Sequence, residues 1–173
     1  MPTMKEGVAI TDVGTLEIES IFMKEMLQAQ TVDVQDIDYY RKQDVDFLMF
    51  LNGKRFKVEI KVDTVGHTTG NIFCETISNM NKGTEGCFMY TKCDYWMYYM
   101  LHTKTLYVFA MNSFREWVLS QKDGVWKKRN GFTELWNGDF YKSEGYIVPI
   151  DEILSKAPHC VKVFDLEQQV QVH

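Results

Sequence analysis

The sequence contains little proline, cysteine or histidine. The 3 prolines occupy positions 2, 149 and 158, so the long interior shows no proline-rich linker. The 4 cysteines form no C-x-x-C pair and only 4 histidines are present, which argues against a zinc knuckle. We therefore expect one continuous domain with reduced, mostly buried thiols.

Long apolar runs are also missing. No stretch of about 18 apolar residues occurs, and the first residues lack the apolar segment of a signal peptide. We therefore expect no membrane span and a cytoplasmic protein. The chain carries 19 Lys and Arg against 24 Asp and Glu, a net charge of −5. An electrostatic attraction of the whole surface to nucleic acid is therefore excluded, and such a contact would need a local basic patch.

What is present fits a globular domain: 173 residues, of which 45% are hydrophobic. The patterns predict an α/β (α+β) fold over residues 1–173, with a core at about 15–121 and a C-terminal extension at 122–173. The predicted helices are 15–30, 113–121 and one starting at Asp151. The predicted strands are 45–51, 54–62, 71–78, 94–101, 105–110 and 146–148.

Asn52-Gly53 between two alternating segments predicts a β-hairpin with a two-residue turn. In that register Leu51 pairs with Lys54, which would place Asp46 opposite Glu59. The same register would place Asp44 opposite Lys61, and a shifted loop would bring Asp44 to the position of Asp46.

Asp46 and Glu59 would repel one another directly across a ladder. A divalent cation between them would relieve this repulsion, because hard carboxylate oxygens suit Mg²⁺ or Mn²⁺. Lys61 lies two residues after Glu59 on the same face, where it would steer a water or steady a phosphate oxygen. The alternative is a solvated strand face with alternating charges.

Glu19 is a candidate third acid. On a regular helical wheel it falls beside Leu16, Phe22 and Met23, whereas Glu17 points the opposite way. A charge on an apolar face needs a partner, and an ion or a water bound to it would serve. The alternative is a first-turn acid that leans into solvent.

The order of these residues resembles the PD-(D/E)XK nuclease superfamily, nearest to its Holliday-junction-resolvase-like and restriction-endonuclease-like branch. The resemblance rests on Glu19 in a helix, Asp46 on a strand and Glu59-Ile60-Lys61 on the next strand, over residues 15–110. Val45 stands where the motif has proline. The resemblance implies a restriction-endonuclease-like core, in which a central mixed β-sheet is flanked by helices.

The resemblance further implies a hydrolase that cuts DNA with Mg²⁺ or Mn²⁺ and that forms a homodimer. Asp46, Glu59 and the carbonyl of Ile60 would hold the ion, and Glu19 would hold it indirectly or bind a second one. Lys61 would position the attacking water and stabilise the transition state.

Candidate contacts to nucleic acid lie outside this motif. Lys122, Lys127, Lys128 and Arg129, interleaved with Trp126, form the densest basic patch. Glu75 on the third predicted strand would add an outer contact near the ion or the substrate. A solvated loop and an ordinary polar strand position are the respective alternatives.

Two other function classes compete with the endonuclease. One is a non-catalytic module that binds nucleic acid or protein through a nuclease-like fold. The other is a scaffold protein whose acids are solvated and unrelated to one another. Mutual placement of Glu19, Asp46, Glu59 and Lys61 distinguishes these classes from an enzyme.

Overall fold

The computed structural model describes residues 4–121, 124–134 and 139–173, which form two β-sheets and several helices. The strands are β1 (Gln30–Asp33), β2 (Phe47–Leu51), β3 (Lys54–Asp63), β4 (Asn71–Asn79), β5 (Thr84–Glu85), β6 (Tyr95–Met100), β7 (Thr105–Ala110), β8 (Lys127–Glu134), β9 (Phe140–Pro149), β10 (Val161–Asp165) and β11 (Val170–Gln171). The helices are α1 (Met4–Glu17), α2 (Asp38–Arg41), α3 (Gly66–Thr69), α4 (Cys87–Tyr90), α5 (Met111–Ser120) and α6 (Ile150–Lys156).

The larger sheet has the strand order β1-β2-β3-β6-β7-β10-β11. It is mixed, because β3 and β6 pair in parallel while their other neighbours pair antiparallel. The smaller sheet is antiparallel, in the order β5-β4-β9-β8. The predicted α/β (α+β) class, with a central mixed sheet flanked by helices, is confirmed.

The predicted hairpin joins β2 to β3. Asn52 and Gly53 have φ angles of 52° and 74°, the left-handed values that a type I′ turn requires. The ladder runs from Leu51↔Lys54 to Phe47↔Val58, which is the predicted register. Side chains of β3 therefore alternate between the two faces of the larger sheet as expected.

Several segments differ from the predicted assignment or add to it. The third predicted strand is β4, which pairs with β5 and β9 in the smaller sheet and not with the β2–β3 hairpin. Strand β1 and helix α2 lie largely in the stretch between the predicted helix 15–30 and the predicted strand 45–51, and the basic cluster forms the edge strand β8. The stretch after residue 139 contributes β9 and β10 to the two sheets.

The first helix starts earlier than predicted and changes its geometry. Thr15, where the predicted helix begins, lies inside α1, which continues as a π-helix over Ile18–Met26. Helix α5 begins at Met111, two residues before the predicted start at Ser113. Both errors arise because tertiary packing extends a helix beyond its local start signal.

The larger sheet carries a hydrophobic cluster on each face. On one face the π-helix packs against the sheet through Ile18, Phe22 and Met23. The side chains below them come from even-numbered residues of β3, namely Val58 and Ile60. On the other face Trp96 and Tyr98 pack with the smaller sheet and α5. Odd-numbered residues of β3 point to this second face, since they are register partners of Trp96 and Tyr98.

No helix within the described ranges is long and apolar enough to cross a lipid bilayer.

Candidate functional site

The site lies where β3 extends beyond the first residue of β2. The ladder between them stops at Phe47↔Val58, whereas β3 continues to Asp63. Glu59 and Lys61 therefore have β6 on one side and the segment before β2 on the other. Both side chains are partly buried.

Asp46 occupies the position next to the last ladder pair. Its amide donates to the carbonyl of Val58 at 2.8 Å, and its Oδ2 accepts the Ile60 amide at 2.9 Å. Its carboxyl group also lies beside that of Glu59, close enough for each carboxyl group to shift the pKa of the other. The carboxylate thus replaces a missing backbone acceptor and brings the two acids into contact, as the register predicted.

The surroundings of Asp46 and Glu59 make both acids harder to ionise. Burial raises the pKa of Glu59 well above its ordinary range, and the neighbouring charges of Asp46 and Asp44 raise it further. Burial also raises the pKa of Asp46, against the lowering effect of its hydrogen bond from Ile60. The two carboxyl groups therefore hold protons more tightly than isolated carboxyl groups do, as is typical of two close carboxylates.

Asp44 is a third acid beside this pair. It has a φ of 55°, a left-handed conformation that ends the turn after α2. Tyr90 donates its hydroxyl to Oδ1 at 3.3 Å, and Thr91 donates to the Asp44 carbonyl at 2.8 Å. Burial and the charge of Asp46 raise the pKa of Asp44 to about 6. Its Oδ2 is buried and has no hydrogen-bond partner among the described residues, so this oxygen remains open to a further ligand.

Lys61 lies within the same group of acids. Burial opposes its charged form, but four neighbouring titratable groups together raise its pKa; they are Cys87, Glu75, Glu59 and Asp63. Burial raises the pKa of the Cys87 thiol to about 12, so this thiol is neutral near pH 7. The carboxylates are therefore the groups that keep the Lys61 ammonium charged at that pH.

Glu75 and Cys87 reach the site from β4 and α4. Their charges act on Lys61 and on Asp44, which places both groups beside the cluster. Glu75 was predicted as an outer contact, and the structure brings it to the cluster. Cys87 was missed, because no local pattern indicates that residue 87 returns to residue 61.

The structure does not bring Glu19 to this cluster. Its Oε1 accepts the Thr31 hydroxyl at 2.8 Å and pairs with Lys24 at 3.0 Å. Thr31 is the register partner of Met49, whose side chain belongs to the face under the π-helix. Glu19 therefore lies on the opposite face of the larger sheet from Glu59 and Lys61.

The regular helical wheel failed at Glu19 because this helix is not regular. Leu16, its expected apolar neighbour, is 63% exposed. Glu17, expected to point away, accepts hydrogen bonds from Tyr99 at 2.6 Å and from Lys104 at 2.6 Å. The partner that Glu19 needs is thus an ammonium group, and no ion is required.

The predicted basic patch divides into two faces of β8. Lys128 pairs with Glu144 at 2.8 Å and lies 5.8 Å from the centre of the Tyr146 ring. Lys127 and Arg129 alternate with it and are exposed, with no ion pair to another described residue. Lys122 lies outside the described residues.

Across the described ranges, no three side chains of His, Cys, Asp or Glu are arranged as ligands of a single ion. An ion at this cluster would consequently take two carboxylates from the chain and complete its shell with backbone oxygen and water. Mg²⁺ commonly binds proteins in this way, through one or two carboxylates and several waters.

Comparisons with the sequences of known proteins find no match, and comparison with solved structures finds a weak one. No protein-family model matches the sequence, and no curated protein is similar to it. Among solved structures the chain is similar to a bacterial homing endonuclease, I-Ssp6803I, at 14% identity and a TM-score of 0.46. That match covers 70% of this chain and 83% of the endonuclease chain. A TM-score below 0.5 is too low to support a conclusion about function.

Proposed function

We propose that this protein is a Mg²⁺- or Mn²⁺-dependent DNA endonuclease of the PD-(D/E)XK type. The observation that supports it best is the contact between the carboxyl groups of Asp46 and Glu59 beside the charged Lys61. Two carboxylates held close together at a partly buried position are a costly arrangement for a protein that binds nothing there. A divalent cation bound between them would remove the cost.

The residues present fit such an ion. Asp46 and Glu59 would hold it with carboxylate oxygens, and the carbonyl of Ile60 would supply a third oxygen. That carbonyl faces the same side of β3 as the Ile60 amide, because both groups of a residue point to one edge of an extended strand. The free Oδ2 of Asp44 would accept a hydrogen bond from a water of the ion's shell. Glu19 takes no part in this assignment.

Lys61 has a role that follows from its charge. Because its pKa is raised, it stays an ammonium group near neutral pH and is a poor general base. It would instead orient the attacking water and stabilise the negative charge that develops on the phosphate oxygens in the transition state. The bound cation would supply Lewis acidity to the phosphate.

Lys127 and Arg129 are the proposed contacts to the DNA backbone, since both are exposed cations with no ion pair to any residue that the structure describes. Lys128 is not assigned to DNA, because Glu144 already neutralises it. The homodimer that the resemblance implies is tested by light scattering during size-exclusion chromatography.

Cleavage of supercoiled plasmid tests the proposed function. Purified protein should nick the plasmid with Mg²⁺ or Mn²⁺ and should stop when EDTA is added. Glu59→Gln should abolish nicking, whereas Glu85→Gln on the exposed strand β5 is the matched control and should cut normally. Cleavage that survives EDTA, or no cleavage with either ion, contradicts the proposal; the second result favours the non-catalytic binding module.

A further inference from the structure

A groove of about 970 Å³ runs between the smaller sheet and the turn that follows β3. Its walls include Asp63 and Gly66 on the side of the larger sheet, and Phe73 and Trp126 on the other side. Lys127, Arg129 and Phe132 of β8 complete the outer wall. A space of this size matches a site for a small molecule or for a few unpaired nucleotides.

The groove leads to the proposed catalytic cluster. Glu75, Gly145 and Arg129 are directly opposite one another on adjacent strands, and they share one face of the smaller sheet. Strands in a sheet are spaced by about 4.8 Å, so Arg129 lies roughly 10 Å from Glu75 across the sheet. Asp63 stands two residues beyond Lys61 on the same face of β3. One end of the groove is therefore next to Lys61.

Gly145 lies between Glu75 and Arg129 and contributes no side chain to this face of the sheet. A Cβ atom at Gly145 would lie 2.7 Å from the Phe73 ring and 2.6 Å from the Cys74 carbonyl oxygen. The absence of a side chain at Gly145 thus lets the Phe73 ring lie across the middle strand. This places an aromatic ring on the path from Arg129 to Glu75.

The charged side chains that line the groove differ in whether they already have a partner. Asp63 is satisfied by the hydroxyl of Tyr98 and by two backbone amides, those of Val65 and Gly66. Lys156 pairs with Glu152. Lys127 and Arg129 have no ion pair to another described residue, so they are the charges left for a ligand, and both are positive.

Exposed apolar side chains accompany these cations. Phe132 is 46% exposed, Val65 61% and Val125 50%, and all three line the groove. The Phe132 ring leaves β8 on the Lys128 face, at the edge of the groove, and the Lys142 Nζ lies 5.5 Å from the ring centre. Cations combined with exposed aromatic rings are typical of proteins that bind single strands, because unpaired bases stack on the rings while the phosphates contact the cations. A duplex keeps its base faces inside its own stack and would leave these rings uncovered.

We propose that this groove binds a single-stranded segment of the DNA substrate. Its phosphates contact Lys127 and Arg129, its bases stack on Phe73 and Phe132, and the strand continues towards Lys61. This inference rests on the proposed function for its substrate, DNA, and it adds that the enzyme recognises DNA with an unpaired stretch, such as a flap or an end.

Fluorescence anisotropy without divalent ions tests binding apart from cleavage. The probes are a labelled thymine oligonucleotide and a labelled duplex of the same length, in buffer containing EDTA. We expect the single strand to bind at least about tenfold more tightly than the duplex. The double variant Lys127→Ala/Arg129→Ala should weaken single-strand binding about tenfold and reduce the salt slope by about 1.4, the value for two lost phosphate contacts.

Two further variants separate a specific groove from a general loss of charge. Lys128→Ala removes a neighbouring lysine that Glu144 neutralises, and it should bind the single strand within about twofold of the wild type. Phe132→Ala removes a ring without changing charge, and it should weaken single-strand binding but not duplex binding. Equal affinity for the two probes, or binding that the Lys127/Arg129 double variant leaves unchanged, overturns the proposal.

The results also separate this inference from the proposed function. Metal-dependent plasmid cleavage without a preference for single strands overturns the groove assignment alone. Single-strand binding by a wild-type protein that cuts nothing overturns the nuclease assignment alone. Lys61→Ala should lose cleavage but keep its affinity for the thymine oligonucleotide, because Lys61 lies beyond the end of the groove.

Discussion

The carboxyl group of Asp46 lies beside that of Glu59 because Asp46 immediately precedes β2, whose ladder with β3 stops at Phe47↔Val58. In place of a ladder partner, Ile60 donates its amide to the Asp46 side chain at 2.9 Å. This bond fixes the Asp46 carboxylate beside β3, within reach of Glu59. A break in the sheet is thus the structural origin of the acid pair.

The first prediction concerns Lys61. Lys61→Ala should reduce metal-dependent cleavage by about 100- to 1,000-fold, because it removes a fixed positive charge from the phosphate. Binding of Mn²⁺ should persist, since Lys61 is not a ligand in this account. Initial rates of plasmid nicking measure the effect, and Lys54→Ala on the exposed start of β3 is the matched control. A variant that retains more than about half of the wild-type rate would exclude a catalytic role for Lys61.

The second prediction concerns Glu19, which the family pattern places in the site and the structure places on the other face. Glu19→Gln should keep cleavage within about twofold of the wild type. Its ion pair with Lys24 is partly exposed, so the free energy of unfolding should fall by no more than about 1 kcal/mol. Nicking rates and urea denaturation measure both quantities. A loss of cleavage without a loss of stability would mean that Glu19 acts at the site.

Much of the site could be predicted from local sequence. The Asn52-Gly53 turn determines the register, and the register determines that Asp46 meets Glu59 and that Lys61 shares the face of Glu59. The position of Glu19 could not be predicted, because a π-helix has a different angular spacing from the regular wheel.

The contributions of β4 and α4 were harder to predict. The strand pattern at 71–78 indicates a strand but not its sheet, so nothing local shows that Glu75 returns to Lys61. Asp44 was named only as a substitute for Asp46, whereas both lie in the cluster. Tyr90 and Thr91, which hold Asp44, carry no sequence signal because their contacts span more than 40 residues, with separations of 46 and 47.

The third prediction concerns stability. The folded protein holds the Asp44 proton more tightly than the unfolded chain, because the pKa rises from 3.8 to about 6 on folding. The metal-free protein should therefore lose stability as pH increases through this range. Asp44→Asn removes the effect and should raise the free energy of unfolding by about 1–2 kcal/mol above pH 7, with little change near pH 4.

Urea denaturation at several pH values in EDTA checks this expectation. Asparagine tolerates the left-handed backbone of residue 44, so the substitution adds no strain. Asp36→Asn, at an exposed turn, is the matched control and should show no such pH-dependent gain. An Asp44→Asn variant that is less stable than the wild type at neutral pH would contradict the raised pKa.

The fourth prediction concerns protons released on ion binding. Burial and the neighbouring acids raise the pKa of Glu59, so an ion that binds the Asp46–Glu59 pair competes with protons. Affinity for Mn²⁺ should therefore increase with pH. Calorimetry in two buffers of different ionisation enthalpy should show that ion binding releases protons. Ion binding that releases no proton would mean that the ion binds elsewhere.

The central claim is that Asp46 and Glu59 bind a divalent ion. Its most direct test is isothermal titration calorimetry of Mn²⁺ with the wild type and with Glu59→Gln. The account predicts one ion per wild-type chain, a loss of at least about tenfold in affinity for Glu59→Gln, and unchanged affinity for the control Glu85→Gln. Equal Mn²⁺ affinity in the wild type and Glu59→Gln, or no binding to the wild type, would contradict it.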